Sequence, residues 1–242
     1  MIKIVGIGSG EVKNLTLEAI EAIKTAEVIV GYRTYIEWIQ PLIDQNSKAQ
    51  KIITTGMTGE VKRCQAALEA SRKGENVVVI SSGDSGIYGM AGLIYELSGT
   101  EDEIRVIPGV TSSSIAAATL GAPLMHDFVS ISLSDLMTPY DLIMKRVRLA
   151  AEGDFVICLY NPRSKGRPHH LEDALKIIKD IQGDALVVGR VSDAGREEEE
   201  VAYSTLKEFD VQDVNMRTMV IIGNQNTHMH HGKMVTPRGY RL

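Results

Sequence analysis

Residues 76–89 read NVVVISSGDSGIYG. The uninterrupted β-branched run over 76–81 is the pattern of a strand buried on both faces. It ends at a turn holding Gly83, Gly86 and Gly89, and helical spacing then predicts a helix over 87–97. Strand, glycine turn and helix form the repeating unit of a helix-covered parallel sheet. The same alternation runs upstream. A strand over 2–7 closes on Gly6, Gly8 and Gly10, and a helix over 16–26 has Leu17, Ile20 and Ile23 at helical spacing, with Asn14 or Thr16 as its cap. A strand over 27–30 ends at Gly31, and a helix over 58–73 is stopped by Gly74. Downstream come a strand over 104–107, Pro108-Gly109, and a small-residue helix over 111–120.

Gly121-Ala122-Pro123 breaks the alternation and is the candidate hinge. The pattern then restarts, with strands over 128–133, 155–160, 185–191 and 219–222 and helices over 140–151 and 170–181. Residues 201–204 can pair in a hairpin beside the third of those strands. The expectation is an α/β protein of two domains, 1–121 and 122–242, with mainly parallel sheets. Ligands in such folds bind beyond the carboxyl ends of strands and in clefts between domains.

The composition is that of an ordinary globular chain: 242 residues, 44% apolar and 24% charged, with aromatics at 5%, so the core is aliphatic. A formal net charge of −5 gives no support to a general nucleic-acid binder. Cys64 and Cys158 stand far apart and outside any CxxC pair, which argues against a disulfide scaffold or zinc–thiolate site. The opening MIKIVGIGSG runs straight into a glycine turn, and no apolar run reaches the ~18–20 residues of a membrane helix. A cytoplasmic protein without membrane contact is expected. The REEEE run over 196–200 reads as a solvated rim.

Five segments carry chemistry-bearing residues. Gly6-Ile7-Gly8-Ser9-Gly10 lacks the third glycine of a dinucleotide fingerprint, because Glu11 or Lys13 stands there, and Gly31 replaces the acidic residue that would end strand two. It is a ligand turn of another kind or a bare tight turn. In the second segment, Ser82 to Met90, free backbone N–H groups at a helix start can hold an anion, and Asp84 can accept from hydroxyls or an amine. In the third, Thr111, Ser112, Ser113 and Ser114 open a helix, as ligand groups or as generous capping, which needs only one or two of them. In the fourth, Arg163, Lys165 and Arg167 share one loop, with His169 and His170 behind; they suit a substrate with several carboxylates, or form a solvated basic loop. The fifth, His228, His230 and His231, has no cysteine or acidic ligand beside it, so no metal is predicted. Neither GxxxxGK[ST] nor GxSxG occurs.

In this order and spacing the segments resemble the tetrapyrrole methyltransferases. The matching motifs are Gly8-Ser9-Gly10, Gly83-Asp84-Ser85-Gly86-Ile87-Tyr88-Gly89 and Pro108-Gly109-Val110-Thr111-Ser112. SGDSGIYGMAGL, LGAPLMHDFVSISLSDLMTPYDLI, LYNPRSKGR and TPRGY resemble the subgroup that methylates carbon 17 of precorrin-3B or cobalt-factor III in cobalamin biosynthesis. The resemblance covers essentially the whole chain. It implies two α/β domains, an active site in the cleft between them, S-adenosylmethionine as methyl donor and a homodimer. By motif, Ser9, Gly83, Asp84, Ile87, Tyr88, Thr111 and Ser112 would bind that donor, joined from the second half by Tyr160, Asn161 and Gly189 or Arg190. Where relatives have Gly-Asp-Pro after strand one, this chain has Gly10-Glu11-Val12.

Methyl transfer to carbon needs alignment rather than a protein nucleophile. The subgroup also contracts the macrocycle, a step that wants an acid or base. His126, Asp127, Ser132, Ser134 and Asp135 are candidates, Asp127 and Asp135 foremost, although Ser134 and Asp135 can equally cap the next helix. Ser132 and Ser134 would then border the substrate, and Arg163, Lys165 and Arg167 would pair with its acetate and propionate groups. The alternatives are a methylase of another corrin intermediate, a nicotinamide-dependent oxidoreductase and a non-catalytic tetrapyrrole carrier.

Overall fold

A computed structural model describes residues 1–46, 49–56 and 59–241. The chain divides into two compact units, Met1–Ser112 and the remainder from Ser113.

The first unit runs β1 (Ile2–Gly6), α1 (Leu17–Thr25), β2 (Val28–Tyr32), α2 (Arg33–Asp44), β3 (Lys51–Thr55), α3 (Glu60–Arg72), β4 (Val77–Ser81), α4 (Ala91–Leu97) and β5 (Ile104–Ile107). The sheet order is β3-β2-β4-β1-β5 and every pairing is parallel. All five residues of β4 are buried, as its apolar run requires. Successive side chains point to opposite faces, so the strands feed two cores. Val5, Ile29, Val78 and Ile80 pack with Ile23, Ile36 and Ile39 of α1 and α2. Ile4, Val30, Val77 and Val79 pack with Cys64, Leu68 and Ile94 of α3 and α4.

Thr16, not Asn14, caps α1, its hydroxyl accepting from Ala19 N at 3.1 Å. The helix expected over 58–73 is found as α3; Thr58 lies outside the described residues. The helix expected from 87 starts only at Ala91, because residues 85–90 form the turn. α2 and β3 are additions to the sequence reading: Pro41 sits inside α2, and β3 is a largely exposed edge strand.

The second unit runs α5 (Ser112–Leu120), β6 (Gly121–Ala122), β7 (Phe128–Ser132), α6 (Tyr140–Glu152), β8 (Val156–Tyr160), α7 (His170–Gln182), β9 (Val187–Ser192), β10 (Glu200–Thr205), β11 (Thr218–Ile222), β12 (His228–His230) and β13 (Lys233–Val235). Its main sheet has the order β10-β9-β11-β8-β7. Only the β7–β8 pairing is parallel; the other three are antiparallel. The parallel expectation therefore holds for the first sheet and is corrected for the second, where β9, β10 and β11 follow one another without an intervening helix long enough for a crossover.

α6 and α7 cover one face, packing Ile143, Val147, Leu171 and Ile178 on Ile157, Leu159, Val188 and Val220. α5 covers the other with Ala116, Ala117 and Leu120 against Val156, Cys158, Val191 and Ile221. Because α5 packs in this unit, the contact boundary falls at its first residue and not at its end near 121. The expected hinge is a paired strand: Gly121 and Ala122 match Met234 and Val235 of β13. The rim over 196–200 is only partly solvated, since Arg196 pairs with Asp193 at 3.3 Å and Glu199 accepts from Gly195 N at 2.6 Å.

Candidate active site

β4, β1 and β5 are neighbours, so the turns after their carboxyl ends lie side by side. Glycine is what allows them to touch. Gly8 and Gly83 form a backbone bridge, with Gly83 N donating to Gly8 O at 2.7 Å and Gly8 N to Gly83 O at 3.1 Å. Both have positive φ, 57° and 63°. A Cβ on Gly109 would stand 2.2 Å from Gly83 O, so no other residue fits there. Space remains at Gly83, whose Cβ would meet only Thr111 Cα and Ser112 N, each at 3.7 Å. Gly83, Asp84, Thr111 and Ser112 are thus brought together.

Asp84 locks two of these turns: Oδ1 accepts from Gly86 N at 2.8 Å and Oδ2 from Gly109 N at 2.9 Å. Within the 82–90 turn the protein's own carboxylate takes one of the backbone N–H groups, that of Gly86, and the seven-residue α4 begins after the turn. No cationic side chain pairs with Asp84 among the described residues, so its charge is solvated by dipoles but not neutralised. Ser9 is buried and accepts from Asn14 Nδ2 at 2.8 Å. Ile87 and Tyr88 are exposed, and Tyr88 has a φ of 54°, a conformation unfavourable for a bulky residue and typical of functional turns.

In the second unit, the parallel neighbours β7 and β8 present another set of carboxyl-end residues. Ser132 Oγ accepts from Asn161 Nδ2 at 3.0 Å and from Ser134 N at 3.2 Å. Asn161 has a φ of 50°, which Asn tolerates well. Tyr160 is buried, and its hydroxyl donates to Ser113 Oγ at 2.9 Å. Gly189 faces Leu120, whose Cδ1 would be 2.6 Å from an added Cβ; packing alone requires this glycine.

The basic loop is not uniformly a solvated one. Arg167 is 7% exposed, with Nη1 donating to Ser134 Oγ and Nη2 to Met216 Sδ. Arg163 is tied to Val211 O at 2.7 Å and Gln212 Oε1 at 3.0 Å. Lys165 is exposed. With Arg163, Ser164, Pro168, Val214, Asn215, Met216 and Arg217 it lines an open depression of about 610 Å³.

The two favoured carboxylates are separated. Asp135 follows the carboxyl end of β7, whereas Asp127 precedes its amino end and its carbonyl accepts from Val156 N at 3.1 Å. Five residues of strand, roughly 16 Å, lie between. Asp127 is 79% exposed beside His126, at the end remote from Ser132 and Asn161. Asp135 instead meets His170 Nε2 at 3.2 Å. Burial pushes the Cys64 thiol up to about 11 and the Cys158 thiol up to about 12, so neither is an activated nucleophile. The three terminal histidines are exposed, and among the described residues no three His, Cys, Asp or Glu side chains gather as a metal site would need. No helix of the described residues is long and apolar enough to cross a membrane.

Residues 1–210 match the family of tetrapyrrole (corrin/porphyrin) methylases. The chain belongs to that family. This tetrapyrrole methylase is 49% identical, over the full length of both chains, to a probable cobalt-factor III C(17)-methyltransferase of Salmonella typhimurium. It is 37% identical to a precorrin-3B C(17)-methyltransferase of a Sinorhizobium species, over 93% of this chain and 89% of that one. Its fold matches a crystal structure of the methyltransferase CobJ with a TM-score of 0.88 and 33% identity, covering 98% of this methylase and 99% of that chain. One member of the methylase's second-unit cluster, Arg217, escaped the sequence reading as a site residue, and His170 was grouped with the basic loop but not with Asp135. Arg217 lies 50 residues beyond the basic loop it joins.

Proposed function

We propose that this methylase transfers a methyl group from S-adenosylmethionine to carbon 17 of a polycarboxylate tetrapyrrole, cobalt-factor III or precorrin-3B, with contraction of the macrocycle. The observation that carries the reading is the trio of adjoining glycine turns, two of them fastened by Asp84, in a chain of this family. S-adenosylmethionine supplies a methyl group already activated by a sulfonium charge. An un-neutralised Asp84 carboxylate beside turns with room at Gly83 fits a cationic donor. Ser9, Gly83, Asp84, Ile87, Tyr88, Thr111 and Ser112 would hold it, with Tyr160 and Asn161 contributed by the second unit and the substrate lying in a cleft between the units.

No residue forms a covalent intermediate. These side chains orient the acceptor carbon in line with the methyl and exclude water, and such alignment accounts for about 7–11 kcal/mol of a barrier. Ser132 and Ser134 would border the macrocycle, and Lys165 with Arg163 would face its carboxylates. The higher identity to the Salmonella relative favours the cobalt-bearing substrate. A cytoplasmic homodimer completes the proposal.

The test is incubation with methyl-labelled S-adenosylmethionine and each of the two tetrapyrroles. Label in the macrocycle and a mass gain of one methyl group are expected, faster with cobalt-factor III. Failure to label either compound refutes the reading.

A further inference from the structure

Asp135 has two basic neighbours that the fold encloses while leaving the carboxylate open. His170 Nε2 lies 3.2 Å from Oδ2 and Arg167 Nη1 lies 4.0 Å from Oδ1. The side chains of His170 and Arg167 are 14% and 8% exposed, against 37% for Asp135. Arg167 is anchored on Ser134 and Met216, which holds the 134–135 segment in place. The His170 ring is fixed by Tyr140, edge-on at 5.0 Å, and the Tyr140 hydroxyl is held by Asp173 of α7 at 2.7 Å. Glu172, the other nearby carboxylate on α7, is engaged by His169 at 3.4 Å.

Two buried nitrogens of this cluster have no hydrogen-bond partner among the described residues: Arg167 Nε and His170 Nε2. For His170 the distance to Asp135 suits a hydrogen bond and the direction does not. A buried unmatched donor costs about 1–3 kcal/mol, so leaving these nitrogens unmatched weighs against stability. Hydrogen bonds between catalytic groups are commonly misaligned before substrate binds and tighten in the complex.

We infer that Asp135 moves the proton of the ring-contraction step and that His170 is the positioning residue that aims it. The inference rests on the methyltransferase reading above. In the step, the Asp135 carboxylate takes the proton of a substrate hydroxyl. The substrate O–H bond breaks, an O–H bond forms on Asp135, and the electron pair stays on the substrate oxygen. This is the arrangement of a base oriented by a second group.

Precorrin-3B is the probe, read in two channels: label from S-adenosylmethionine reports methyl transfer, and carbon connectivity by NMR reports contraction. Asp135→Asn should lower contraction about 100-fold or more, with methyl transfer falling far less. His170→Leu should lower it about 10-fold, and His170→Gln, whose amide can donate to Asp135, should recover most of that loss. Asp135→Asn is nearly isosteric and carries the test should His170→Leu fail to fold. Full contraction by Asp135→Asn or by His170→Leu overturns the inference, as does a parallel loss of both activities in the two variants. Absence of methyl transfer by the unsubstituted chain overturns the methyltransferase reading and this inference with it.

Discussion

Asp84 illustrates how one side chain does structural and electrostatic work together. Its two oxygens each take one backbone N–H from different turns, while its charge meets no cation among the described residues. Asp84→Asn keeps the shape but sets an amide NH₂ against one of those N–H donors and removes the charge. A charge-assisted hydrogen bond contributes about 1.5–3 kcal/mol. The expected outcome is a fall of at least about 10-fold in S-adenosylmethionine affinity by calorimetric titration. Unchanged affinity would mean that Asp84 only fastens the turns. This residue was legible in the sequence because a polar residue amid three glycines at a strand end stands out. Its hydrogen-bond partners were not, since Gly109 is 25 residues away and meets it only once β4, β1 and β5 are ordered side by side. The same limit hid the approach of His170 to Asp135, 35 residues away in sequence, which depends on the packing of α7 beside α6.

Elements with strong periodicity were readable: the run over 77–81 could only be a buried strand, and α1, α3, α6 and α7 show their apolar stripes. α2 and β3 were not, because Pro41 interrupts one and solvent dilutes the apolar pattern of the other. Strand direction in the second sheet was equally hidden, since a strand's composition does not tell which way it runs. The junction of α6 and α7 gives an element-scale prediction. The hydrogen bond to Asp173, helped by burial and by the charge of Asp173, holds the Tyr140 proton and pushes its pKa up from 10.0 to about 12. The protonated phenol is therefore favoured by the fold. Its stabilisation is complete below pH 10 and disappears as the pH rises through about 12. Tyr140→Phe should cost less than about 1 kcal/mol at neutral pH, because the ring is more than a third exposed. Urea unfolding of both forms at pH 8 and above pH 11 should show that difference shrinking with pH. A difference that grows would place the stabilisation elsewhere.

For the whole molecule, charge sets a problem. The chain carries a formal net charge of −5, and its proposed substrate is a polyanion. Beyond a Debye length of about 8 Å at physiological salt, that repulsion is screened, so local cations decide binding. Arg167 is enclosed and Arg163 is fastened to residues 211 and 212, which leaves exposed Lys165 and Arg217 as the mobile charges around the depression, although Arg217 lies 3.2 Å from Asp193. Exposed ion pairs contribute about 0.2–1 kcal/mol each. Lys165→Gln and Arg217→Gln should then each raise the tetrapyrrole KM about 1.5- to 5-fold and leave the KM for S-adenosylmethionine unchanged. Adding salt should raise the unsubstituted enzyme's tetrapyrrole KM and affect the double variant less. Should the variants instead weaken S-adenosylmethionine alone, the depression faces the donor and the carboxylates of the macrocycle must be held elsewhere.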